Sequence, residues 1–247
     1  MTLTLKNAKL WMAGFDLSGD HNQLEVNTTK DTPEDTRFGM DSRSYLPDWL
    51  RSVAVSHAGM YDQDSTATPL PVDDVLWAEH VGSVVTVMTF AAVGAAGDVG
   101  YSFNGIESAY TPIDGTVGDA HGFSATGQGT GDGVRGTIME PGVTARTASG
   151  NSAEYNLGDL AAGETGYAAL HVIATTGSPT LDVDIESDAT GFASPTTRTS
   201  FVQATAVGAQ FLTDSTVTAD DFWRTAWIFG GTGSITFVVN FGIQTTG

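Results

Sequence analysis

The stretch SITFVVNF, residues 234–241, decides the fold class. Its β-branched and aromatic side chains suit a pleated, half-buried surface, so Ser234 to Phe241 reads as a strand. Working outward, the same signature recurs. Val53 to Ala58, Ser83 to Val93, Tyr167 to Thr175, Leu181 to Ile185 and Ser200 to Val207 all read as strands punctuated by Gly, Pro, Asp and Asn. From Leu181 to Glu186 apolar and acidic residues alternate strictly, which predicts one face packed inward and the other in water. Val84, Val85, Val87 and Met88 form a more continuous apolar run, the pattern of a strand covered on both sides. Asp48 to Val53, after Pro47, and Asp73 to His80, opened by the Asp73 and Asp74 carboxylates, read as short helices. Thr218 to Trp223 reads as a helical turn. With 30 glycines and few long helix formers, the chain is all-β.

The glycine-rich segment GQGTGDGVRG, residues 127–136, and the Pro141-Gly142 pair break the chain near residue 141. At 247 residues there is room for two ordinary domains, so the expectation is a β domain over 1–140 and a second β-sandwich domain over 141–247. No strict internal repeat relates the halves.

Charge narrows the function classes. Only 10 basic side chains face 29 acidic ones, for a net charge of -19. The acids are spread along the chain, 19 in residues 1–140 and 10 in residues 141–247. Such a balance argues against any surface that neutralises phosphates. Adaptation to high salt, where screening reaches about 3 Å at 1 M, is one reading of the acidity. With 0 cysteines, disulfides and thiolate metal sites are excluded. The opening MTLTLKNAKLWMAGFDLSGD is interrupted by Lys6 and Lys9, and no apolar run nears the roughly 20 residues of a membrane helix. A soluble chain made without export is the expectation.

The motifs that carry chemistry elsewhere fail here on context. Gly131, Gly133 and Gly136 have Gly-x-Gly-x-x-Gly spacing, but the following TIMEPG is too short for the helix that would aim amides at a phosphate, so they read as a turn. Asp182, Asp184, Glu186 and Asp188 are spaced like calcium-loop ligands, yet Ser187 stands where the turn glycine belongs and Ala193 where the bidentate Glu belongs. They read as a solvated strand face. His21, His57, His80, His121 and His171 form no metal or catalytic spacing, and Ser124 lacks a nucleophile elbow. Trp11, Trp49, Trp77, Trp223 and Trp227 are dispersed, which suits cores and interfaces more than a sugar platform. The sequon Asn27-Thr28-Thr29 is incidental. No cofactor, no metal and no enzymatic activity are expected.

Two groups of segments carry a family resemblance. In the first half these are WMAGFDLSGD (Trp11 to Asp20) and DTRFGMDSRSYLPDWLRSVAVSHAGMYD (Asp35 to Asp62). In the second they are ARTASGNSAEYNLGDLAAG (Ala145 to Gly163), GYAALHVIATTGSPTLDVDIESDATGFAS (Gly166 to Ser194), TSFVQATAVGAQF (Thr199 to Phe211) and GSITFVVNFGI (Gly233 to Ile243). Together they resemble the major tail (tail tube) proteins of tailed bacteriophages and siphovirus-like archaeal viruses. The resemblance covers most of the chain.

That resemblance implies a tail-tube β-sandwich or barrel in the first domain, with strands completed by neighbouring copies in stacked rings. It also implies that Thr218 to Trp223 is the loop entering a strand rather than a helical turn. Two tube-like domains per chain imply trimeric rings, and one tube domain with an outer one implies hexamers. It also implies a virion location after assembly in the host cytoplasm, other tail proteins such as tape measure, terminator and baseplate as partners, no membrane, and viral DNA passing an acidic lumen without tight binding. The loop from Thr28 to Arg43 mixes Lys30, Arg37 and Arg43 with Asp31, Glu34, Asp35 and Asp41, charges suited to a contact between rings. The second half is also similar to β-sandwich modules that bind sugars, so a carbohydrate-binding adhesin or baseplate module stays open.

Overall fold

The computed structural model describes residues 7–32, 34–39, 41–43, 45, 51–62, 71–82, 84–116 and 120–245. Its elements in chain order are β1 (Lys9–Met12), β2 (Phe15–Asp16), β3 (His21–Lys30), β4 (Arg51–Met60) and α1 (Val72–Gly82). Next come β5 (Thr86–Ala91), β6 (Val99–Asp114), β7 (Gly122–Gly129), β8 (Val134–Pro141), β9 (Gly150–Asn151) and β10 (Tyr155–Asn156). The chain ends in β11 (Glu164–Asp188), β12 (Thr196–Ser200), β13 (Gly208–Asp214) and β14 (Phe222–Thr245). The all-β expectation holds: among the described residues, 14 antiparallel strands form one hydrogen-bonded system.

The spine is the pair β11 and β14, in register from Glu164 against Thr245 to Asp188 against Phe222. A two-stranded ribbon has no inside, so it must bury its apolar face on something else. Here it doubles over on itself. Leu170 and Val172 from one half of β11 share a buried cluster with Leu181, Val183 and Ile185 from the other half, and with Ile235 and Phe237 of β14. The corner is made by glycines at positive φ: Gly177 at 75°, Gly231 at 76° and Gly233 at 107°. On one layer β13 extends β11 and β8 extends β14; on the other β12 extends β11 while β9 and β10 extend β14. The result is a sandwich built from one folded ribbon.

β8 carries the sheet onward to β6, β5, β1 and β2, and the distal part of β6 turns to pair with β7, which leads to β4 and β3. A second core fills this region. Leu10, Met12, Val53, Val55, Met88, Phe90, Phe103 and Phe123 pack there with Val72, Val75 and Leu76 of α1. Tyr110 and Tyr61 donate their hydroxyls to Asp73 at 2.6 and 3.1 Å, tying the start of the helix to β6 and to the end of β4. Burial first, and the Asp73 hydrogen bond second, push the Tyr110 phenol well above its ordinary range.

A polar seam joins the two regions. Asn240 Nδ2 donates to Ser102 Oγ at 2.7 Å, Ser102 and Thr89 share a hydroxyl bond at 2.8 Å, and Thr89 Oγ1 meets His171 Nε2 at 2.8 Å. All four residues are at most 1% exposed, so the bonds offset the cost of burying polar groups across β14, β6, β5 and β11.

Several expectations need correction. Tyr167–Thr175 and Leu181–Ile185 are not separate strands but parts of β11, because the partner ladder of β14 runs unbroken past Pro179 apart from one register shift near Ala174. Ser200–Val207 is largely irregular: Gln210 takes both backbone groups of Val202 with its side-chain amide, at 2.8 Å each, in place of a ladder. Phe201 and Ala204 are nevertheless pinned to Val183 and Leu181. Val84 and Val85 precede β5 and are 58% and 52% exposed, so the covered run begins only at Thr86. Residues 51–53 belong to β4, not a helix, and 48–50 lie outside the described residues, as does Ser83. The helix at Asp73–His80 lies within α1, and Thr218–Asp221 is the loop entering β14. Leu181, Val183 and Ile185 are buried between less buried acids, as the alternation predicts. Among the described residues no helix is long and apolar enough to cross a membrane.

A Cβ at Gly233 would lie 1.8 Å from the Thr176 carbonyl oxygen, on a backbone conformation that L-residues rarely adopt. Gly233→Ala is therefore expected to destabilise the fold by roughly 3 kcal/mol or more, read from the midpoint of urea unfolding. An unchanged midpoint would show that the corner is not under steric control.

Candidate functional site

The loop singled out by mixed charge leaves the end of the β3–β4 hairpin. Lys30 is the last residue of β3 and stands directly across the ladder from Arg51, the first residue of β4. Like charges opposite one another on a ladder repel. In the loop itself Arg37 pairs with Asp35 at 3.2 Å, and Glu34 makes a backbone bridge to Tyr45. Asp31, Asp41 and Arg43 are exposed, and Phe38 is fully so. Of the loop charges named from sequence, the structure brings together Asp35 with Arg37; it joins Lys30 instead to Arg51 and Arg135.

Those three cations rim a cavity of about 310 Å³ between the β3–β4 hairpin and the β6–β8 layer, walled by the turn at Gly131 and Gly133. A second cavity, about 330 Å³, shares Val26, Thr28 and Tyr101 with the first and adds the apolar surfaces of Leu24, Phe90, Ala91 and Ala92. The two make one groove along β3, basic at the Lys30 end and apolar at the Leu24 end. Among the described residues β3 hydrogen-bonds as a strand only to β4, so its other edge is unpaired. Sequence reading missed Arg51, Arg135 and Tyr101, which only the long-range pairing of β6 with β8 and β3 with β4 brings near Lys30.

A second cluster lies beneath the same hairpin. His21 Nδ1 donates to the Leu17 carbonyl at 2.6 Å, His21 Nε2 meets His57 Nδ1 at 2.8 Å, and His57 Nε2 lies 3.3 Å from Glu107 Oε2. Which ring nitrogen donates along this chain is set by the tautomers, and the chain ends on the contact between His57 and Glu107. Both of those side chains are fully buried. His80 of α1 adds a bond to the Glu107 carbonyl at 3.1 Å, so the cluster clamps β3, β4, β6 and α1.

The remaining sequence candidates take structural places. Gly131 and Gly133 form the β7–β8 turn, and a Cβ at Gly136 would meet the Phe241 carbonyl at 2.6 Å, so these glycines serve chain reversal and close strand approach. Asp182 accepts from Gln203, Glu186 from Arg224 at 2.8 Å, and Asp188 from the backbone of Thr190 and Ser194. Trp11, Trp223 and Trp227 are core residues, Trp77 is 55% exposed on α1, and Trp49 lies outside the described residues. Asn27 of the sequon is exposed on β3, Ser124 is within β7, and the His121 carbonyl accepts from the Tyr61 amide.

No protein-family model matches the chain, and no curated protein matches it. Among solved structures it is similar to a chain from the virion of a native gene transfer agent particle, at 13% identity and TM-score 0.43, over 54% of this chain and 98% of that one. A chain from the tail of an empty gene transfer agent particle with C6 symmetry gives 13% identity and TM-score 0.40, over 52% and 92%. The SPP1 Dit protein, a hub of the adsorption apparatus in phages infecting Gram-positive hosts, gives 14% identity and TM-score 0.40, over 97% and 100%. The likeness is one of chain shape over these spans.

The histidine clamp has a pH signature. Burial, then the neighbouring His57, hold His21 down to about 4, against the Leu17 carbonyl that favours its protonation; burial alone holds His171 down to about 3. A histidine with a depressed folded pKa contributes stability in full above its unfolded value of about 6.5 and loses it as pH falls toward the folded one. Between pH 7 and 4.5 the free energy of urea unfolding is expected to drop, about 2 kcal/mol of it from His21. In His21→Gln the drop should shrink by that amount; an equal drop would place the acid sensitivity elsewhere.

Proposed function

We propose that this chain is a non-enzymatic structural subunit of a virus tail, the major tail tube subunit that stacks in rings around a passage for DNA. One observation carries the reading: among the described residues β3, ten residues long, hydrogen-bonds as a strand on one side only, and it ends in a charged loop. An exposed edge of that length is a liability to a solitary protein and a joint to an assembling one. The resemblance of segments across most of the sequence to major tail proteins supports the same role. A tube domain over 1–140 and a second β domain over 141–247 draw support from two of the buried clusters, one of Leu10 to Ala125 and the other of Leu160 to Phe241 with Met139 added from β8.

In this reading the partners are other copies in trimeric or hexameric rings, and tape measure, terminator and baseplate proteins along the same tail within the virion. The -19 charge leaves passing DNA little to hold it. Lys30, Asp31, Glu34, Asp35, Arg37 and Arg43 serve the contact between rings. Electron microscopy of the purified chain in low and molar salt is expected to show uniform hollow rings or tubes. Strictly monomeric particles at every salt and concentration, with binding to glycans, would overturn the reading in favour of an adhesin module.

A further inference from the structure

We propose that the groove along β3 is the socket for the 31–43 loop of a second copy of this chain, with Phe38 seated at its apolar end and the loop carboxylates facing Lys30, Arg51 and Arg135. The inference rests on the self-assembly reading and names the surfaces that meet.

The socket is charged for an anionic guest. It gathers three of the chain's 10 basic side chains, and two of these, Lys30 and Arg51, oppose each other across the ladder. Among the described residues none of the three takes part in an ion pair, whereas Lys9, Arg37, Arg146, Arg198 and Arg224 all do. Unneutralised like charges persist on a ladder at a cost, and a carboxylate from outside removes it.

The loop is built as the complementary plug. Its described residues include Asp31, Glu34, Asp35 and Asp41 around Phe38, whose ring is wholly in solvent. An aromatic side chain displayed this way is the usual anchor of an interface. The matching apolar surface is Leu24, Val26, Ala92 and Tyr101 at the far end of the groove, floored by the buried Phe90 and Ala91. Spans agree: Leu24 to Lys30 along β3 covers roughly 20 Å, and an extended loop from Phe38 back to Asp31 reaches up to about 24 Å. Phe38 is not seated in its own groove, although the loop springs from the groove's basic rim, so the guest comes from another copy. Plug and socket are different patches on one molecule, which makes the contact head-to-tail, the kind that stacking requires.

The test uses the full chain and two variants altered only at exposed positions, Phe38→Ala (plug removed) and Arg51→Glu/Arg135→Glu (socket reversed), with circular dichroism confirming the native fold. By sedimentation and electron microscopy the wild type is expected to lengthen with concentration. Each variant alone should stop at its smallest closed ring, with association at least about tenfold weaker. Mixed 1:1, they should form pairs that grow no further, since only one plug and one socket are intact.

If either variant stacks like the wild type, the socket assignment falls while the tail-tube reading stands. If the wild type itself never assembles, the tail-tube reading falls and this inference with it. A Phe38→Ala variant that loses monomer stability yet assembles normally would show the ring docking within its own chain, which also overturns the proposal.

Discussion

The structure depends on the backbone ladder between β11 and β14. Each of these strands must have its amides and carbonyls paired while also burying an apolar face, and a two-stranded ribbon can do only the first. Folding the ribbon at Gly177, Gly231 and Gly233 satisfies both demands, because the two halves of one ladder become the facing layers of a sandwich. The other strands that touch this ribbon are additions to its edges: β13 and β12 on β11, and β8, β9 and β10 on β14. The charged rows stay outside, with Glu186 held by Arg224 and Arg224 lying 4.3 Å over the Phe192 ring.

The same ladder delivers the first half of the molecule. β8 borrows the free edge of β14 and hands the sheet to β6, so the two cores are joined through hydrogen-bonded backbone rather than through a linker. At that junction the chain places Asn240, Ser102, Thr89 and His171 instead of hydrocarbon. A buried polar chain is worth little net stability when complete and is costly when broken, so it selects one register between the two layers. Among the described residues the sheet ends at β3, next to the groove rimmed by Lys30, Arg51 and Arg135.

Some of this was legible in the residues alone. The alternation of Leu181 to Glu186 and the density of SITFVVNF follow from side-chain chemistry acting at a period of two, and both held. The helix at Asp73 was marked by its own first-turn acids. The exposure of Val84 and Val85 was not legible, because an apolar run does not say where a neighbour stops covering it. Nor was the irregular course of Ser200–Val207, where a single glutamine side chain outcompetes a ladder. Of the candidate site, the loop charges could be read as a group because they are local. Arg51 and Arg135 could not, since nothing near them in sequence marks them.

The sequence by itself determined the strand-rich class, the faces of individual strands, the acidic surface and the places where glycine breaks the chain. These are properties of a few consecutive residues, settled by sterics and solvation. Only the tertiary structure decided that two distant strands run as one ribbon, that the ribbon folds over, and that cations at 30, 51 and 135 converge. Those facts depend on which strand pairs with which, and backbone hydrogen bonds are the same for every residue, so partner choice is made by the packing of the whole chain.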